Sequence, residues 1–126
     1  MTKAKLWAET QEYKKRCHLW LLMHYHTIWP VRVRWVETLE DHWGSCTPYH
    51  NSHFLILLRK QGMTPEMVVS TLIHEWAHAM TIEFLGFGRE DNSHHAAFAA
   101  VCNEIEQHWK NSGREEAARI PKRCLR

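Results

Sequence analysis

Apolar positions recur along this chain with two different periods. Residues 4 to about 27 contain no Gly or Pro, and Leu6, Tyr13, Cys17, Trp20, Leu21 and His24 fall near helical spacing. Lys14, Lys15 and Arg16 turn elsewhere, and Pro30 ends the predicted helix. Val31, Val33 and Trp35 then alternate with Arg32, Arg34 and Val36, the period of a half-buried strand over 31–38. Residues 39–53 mix turn formers with the short segment Trp43-Gly44-Ser45-Cys46. The apolar run FLILLRK at 54–60 lies between Asn51-Ser52 and Gly62 and reads as a buried strand. Thr64-Pro65-Glu66 is a helix start: Thr64 caps, Pro65 suits the first position and Glu66 complements the dipole. Its apolar stripe is Val69, Leu72, Ile73, Trp76 and Met80, and Gly86 is the expected C-cap. After the loop GFGREDN, Asn92 or Ser93 is expected to cap a last helix from 94 to about 111, closed by Gly113. Residues 115–126 read as a flexible, mixed-charge tail. The order predicts one α+β domain over 1–126: an N-terminal helix, a small antiparallel sheet of about three strands, a central helix and a packed C-terminal helix.

Composition narrows the class. At 126 residues, 44% hydrophobic and 24% charged, the chain matches one ordinary globular domain. No apolar run approaches the roughly 18 residues of a membrane span, and the charged N-terminus has no apolar signal region. The expectation is a cytoplasmic protein without a membrane partner. A net charge of +2 demands no acidic partner. Cys17, Cys46, Cys102 and Cys124 form no CxxC pair, which argues against a zinc ribbon and for unpaired, mostly buried thiols.

Eleven histidines make a metal site worth seeking, and one pentad supplies the spacing. His74-Glu75-Trp76-Ala77-His78 lies inside the strongest predicted helix. Residues four apart point about 40° from each other, so both imidazoles can bind one ion. Glu75 points to the side, where it can reach a zinc-bound water and take its proton. This is the arrangement of zinc-dependent peptidases, although a chain with eleven His and twelve Glu also meets the pattern by chance. A catalytic zinc needs a third protein ligand. Thr81 and Phe84 exclude the extended motif that would put Gly at 81 and a third histidine at 84. Glu104, Glu106, His94 and His95 remain as candidates.

The blocks WGSC at 43–46, LIHEWAH at 72–78 and SHHAAF at 93–98 together resemble the SprT-like zinc metallopeptidases, a family that includes Spartan-type proteases of DNA-crosslinked proteins. The similarity runs from about Arg32 to Trp109. It implies a zinc-dependent metalloprotease holding one Zn²⁺ on His74, His78 and His94, because the family's third ligand stands four residues before an aromatic, here Phe98. It implies Glu75 as the general base and a protein or peptide substrate. It makes Trp43 and Ser45 candidates for a cleft wall, and it implies DNA contact, with Arg32 and Arg34 on one strand face as the candidate residues. The zinc ribbon of many members is missing. The alternative from another class is an idle zinc-binding module that docks DNA or a protein, against which an intact Glu75 argues.

The remaining residues have plainer readings. Trp43 to Cys46 also fit a turn with a buried Trp. Arg32, Arg34, Lys14, Lys15, Arg16, Lys122, Arg123 and Arg126 read, on composition alone, as solvated faces balanced by 14 acids. His18, His24, His26, His42, His50, His53 and His108 are scattered and read as surface or satisfied core residues. Tyr49, Ser45 and His95 are candidates for a second oxyanion donor.

Overall fold

The computed structural model describes residues 2–82 and 94–126. Helix α1 spans Lys3–His24, and Thr2 caps it by accepting the Lys5 N–H at 3.1 Å. It ends at Tyr25, whose backbone turns extended while its N–H still reaches the Leu21 carbonyl at 2.8 Å. The early stop frees both ends of Tyr25: its hydroxyl meets His108 and its carbonyl accepts from Trp76.

Three strands follow: β1 at Val31–Val36, β2 at Gly44–Tyr49 and β3 at His53–Arg59. β2 and β3 form an antiparallel hairpin, with Asn51 at φ 59° in its turn, a left-handed conformation that Asn tolerates. β1 pairs with β3 in parallel, so the order is β1-β3-β2 and the sheet is mixed, correcting the antiparallel expectation. The cause is the stretch 37–52. It carries the chain to the far edge, forms β2 there and returns β3 to the centre, and it is long enough for a parallel crossover. Alternation places Val31, Val33, Trp35, Phe54, Ile56 and Leu58 on one face.

Helix α2, Pro65–Thr81, packs that face against α1 and the later helices. Thr64 accepts the Met67 N–H at 3.2 Å, as its cap role requires. Trp20, Phe54, Ile56, Leu58, Leu72 and Trp76 are fully buried and form the centre of the core. The expected caps Gly86, Asn92 and Ser93 lie outside the described residues. Helix α3 is Ala96–His108, capped by His95, whose Nδ1 accepts the Phe98 N–H at 3.2 Å. The chain does not stop at Gly113. A π turn, Trp109–Gly113, leads into α4, Arg114–Ala118. Gly113 is needed for a packing reason: a Cβ there would stand 2.4 Å from the Trp20 ring.

The expected tail is docked as far as Ile120. Arg16 donates to the carbonyls of Ala117, Ala118 and Ile120 at 3.0, 3.3 and 2.6 Å, and Ala117 is buried. Arg16 is thereby committed to the end of α4. No described helix is long and apolar enough to cross a membrane. All four cysteines are free, with Cys17 buried and Cys124 exposed.

One core group sets a pH dependence. His18 packs edge-on against Trp76 at 5.7 Å, and among the described residues its buried Nε2 has no hydrogen-bond partner. Burial first, and the charge of Lys14 second, push its pKa down from 6.5 to about 4. Above pH 6.5 both folded and unfolded chains carry it neutral. Between there and about pH 4 only the unfolded chain takes the proton, so stability falls with pH through that window. The full drop is about 3 kcal/mol. His18→Leu should flatten the pH dependence of the urea midpoint between pH 7 and pH 4.5, and an unchanged slope would refute this.

Candidate metal centre

Helix α2 places His74 and His78 one turn apart, with ring centroids 4.9 Å from each other. His94, just before α3, closes on them from the other side: its Nε2 is 3.2 Å from His74 Nε2. One ring nitrogen from each of the three lies within 4.8 Å of the others. Two ligands about 2.0–2.1 Å from one tetrahedral ion stand about 3.3 Å apart, so the spacing suits a zinc-sized cation. The donor set, three imidazoles, is also one that zinc favours.

Phe98 forms the plate beneath the rings. It stacks on His78 at 4.2 Å and meets His74 edge-on at 4.9 Å and His94 at 5.0 Å. The sequence shows Phe98 only as a spacing mark, because ring-on-ring support leaves no polar signature. Burial and the nearness of His94 lower the His74 pKa, while Glu106 acts weakly in the other direction. The neutral imidazole thus favoured is the form that ligates.

Glu75 lies within the core-facing half of α2 and is 7% exposed. Burial alone pushes its carboxyl up to about 7. A cation held by the neighbouring imidazoles acts in the opposite direction. Gly44 gives this side chain its room, since a Cβ at Gly44 would meet Thr71 Cγ2 at 2.6 Å and Glu75 Cγ at 3.2 Å. The glycine of the WGSC block therefore lets edge strand β2 lie directly against the helix that carries the histidines. Trp76 is fully buried and donates from Nε1 to the Tyr25 carbonyl at 3.1 Å, which fixes the helix against α1.

Other candidates fall elsewhere. Glu106 accepts from Cys102 Sγ at 3.5 Å, and among the described residues neither Glu106 nor Glu104 joins the histidine cluster. His95 is occupied as the α3 cap. Trp43 is 40% exposed and stacks under the Arg59 guanidinium at 4.8 Å, at the start of β2. Ser45 pairs with Leu57, so it shares the sheet face opposite Gly44. Arg32 and Arg34 are exposed and pair with Leu55 and Leu57, which puts them on that same outer face and on the edge away from β2. They do not flank the histidines. Tyr49 stacks on His53 at 4.8 Å at the hairpin end. Cys46 is held at about 12, first by burial and then by Glu75, which leaves its thiol protonated and unsuited to nucleophilic attack.

No curated protein and no solved structure gives a match to the chain. The sequence model of the SprT-like family matches residues 27–119, a span that includes all three strands, α2, His94 and α3. The chain belongs to the SprT-like family.

Proposed function

We propose that the protein is a zinc-dependent peptidase whose metal is held by His74, His78 and His94. The observation that carries this reading is the convergence of three imidazoles, from two separate elements, beside a buried carboxylate that is not itself among the ligands. Zinc bound there would act as a Lewis acid towards a substrate carbonyl and a water molecule. Glu75, adjacent to the ligands and enclosed by α2 and β2, takes the proton from the attacking water and returns it to the leaving amine. β2 pairs on one side with β3 and, among the described residues, is an edge strand of the sheet. An extended substrate segment aligned along its free edge would have backbone partners and would pass close to Glu75. Phe98 holds the imidazoles in position from below.

DNA-linked substrates are part of the family's repertoire, but Arg32 and Arg34 face away from α2. Nucleic acid bound to them would lie on the other side of the sheet from the histidines. The reading therefore rests on peptide hydrolysis alone.

The test is cleavage of an unfolded protein, reduced casein, by zinc-loaded chain. Cleavage should stop with a chelator and return when zinc is restored, tracked by gel and by zinc content. Failure of fully zinc-loaded protein to cleave unfolded substrates or itself would favour the idle docking module instead.

A further inference from the structure

His24, His108 and Glu116 lie far apart in sequence and on three different helices, yet a ligating atom from each falls within 4.8 Å of the others. We propose that these three residues form a second site for a divalent transition-metal ion of the zinc class, separate from the peptidase centre.

Several features build the site. His108 and Glu116 are eight residues apart, and a plain α-helix would leave them about 80° round the axis from each other. The π turn at Trp109–Gly113 absorbs one extra residue and reduces that to about 20°, so both side chains face α1. Gly113 lies between them and admits the Trp20 ring, whose centroid is 4.8 Å from that of His108. His24, one turn beyond Trp20, then reaches both: its ring is 5.0 Å from His108 and its Nε2 is 2.5 Å from Glu116 Oε1. Arg16 holds α4 in place through the carbonyls of Ala117, Ala118 and Ile120.

The chemistry suits a metal. Tyr25 Oη lies 2.7 Å from His108 Nδ1. With Nδ1–H donating to that oxygen, Nε2 keeps its lone pair for an ion, the arrangement usual for ligating histidines. His24 Nε2 and Glu116 Oε1 are in hydrogen-bond contact. A metal ion would take the place of the proton between them, which leaves to solvent, and the two ligand atoms would open to about 3.3 Å around it. Two imidazoles and a carboxylate match zinc's preferences. The side chains of His24 and Glu116 are 28% and 39% exposed, so an ion can enter from solvent and keep water in its remaining position. Bound there, it would join the ends of α1, α3 and α4.

The experiment loads metal-free full chain with Zn²⁺, desalts it and measures zinc per chain. About two ions should remain. His24→Ala and Glu116→Gln should each retain about one, as should a His74→Ala/His78→Ala chain, whose remaining ion should be lost on adding Glu116→Gln. For any variant that fails to fold, Tyr25→Phe decides. It keeps all three ligands and should weaken the second ion alone by about tenfold in chelator competition. Retention of a single ion by the unmodified chain overturns the proposal. So does a second ion that survives Glu116→Gln or ignores Tyr25→Phe. An ion that persists in His74→Ala/His78→Ala and requires Glu116 would support this site even if casein cleavage failed.

Discussion

Glu75→Gln is expected to keep zinc and fold and to lose turnover by about 10²–10⁴-fold, the share that positioned proton transfer supplies. The substitution preserves volume, which matters because Gly44 and Thr71 leave Glu75 little space. An amide nitrogen or carbonyl cannot take a proton from water near neutral pH, so the step that makes the nucleophile is lost while substrate binding remains. The loss should therefore appear in kcat, with KM little changed. Burial of the side chain favours the neutral amide over a carboxylate, so stability should be equal or higher. Activity on a quenched peptide, zinc content and a thermal melt together give the reading. A variant that sheds zinc would make Glu75 a ligand or a structural group, and one that keeps full activity would remove it from the chemistry.

His74→Ala and His78→Ala are expected to abolish zinc retention at the three-histidine centre, each by well over the 10–100-fold typical for groups that only orient a ligand. His94→Ala should weaken it strongly. Its nitrogen stands at tetrahedral ligand distance from His74, and it comes from a separate element, so its loss leaves two ligands on one helix. The measurement is zinc affinity by chelator competition in a Glu116→Gln background, which isolates this centre. Full affinity in His94→Ala, together with loss in Glu106→Ala or Glu104→Ala, would move the third ligand to α3. The Cys102–Glu106 contact argues for the histidine.

Much of this centre was legible in the sequence because its signals are local. The pentad at 74–78 sits on one helix whose start is marked by Thr64-Pro65, and both cap and spacing operate within a few residues. His94 was legible only through its spacing to Phe98 within the family's motif. The residues that support the site were not, because they act across the chain. Gly44 matters through its distance to Glu75, and Tyr25 through a carbonyl aimed at Trp76. The alternation of Arg32 and Arg34 on one strand face is visible in the sequence, but which sheet face meets α2 depends on the β1-β3 pairing, a long-range choice. The end of the C-terminal helix is hidden from the sequence for a similar reason. Gly113 looks like a stop signal, yet it is the residue that lets the chain continue past Trp20. In sequence His24 and His108 look like separate surface or core residues, since nothing local brings them together.

A sheet whose first strand lies beside its third cannot be assembled in the order in which it is written. β1 has no partner until the chain has passed β3, whereas β2 and β3 can close on each other through the short turn at His50–Ser52. Loop-closure entropy therefore ranks the pairings, with the hairpin cheap and the parallel seam late. Loop closure alone thus favours, as the earliest compact nucleus, the hairpin with α2 laid across it, the part that holds Gly44 against Glu75. On that ranking the N-terminal quarter of the chain is expected to join last, with β1 filling the open side of β3 and α1 bringing Trp20 and Tyr25 onto the other helices. In kinetic terms the histidine-bearing helix is expected in the first structure formed, and its cover of tryptophans in the last.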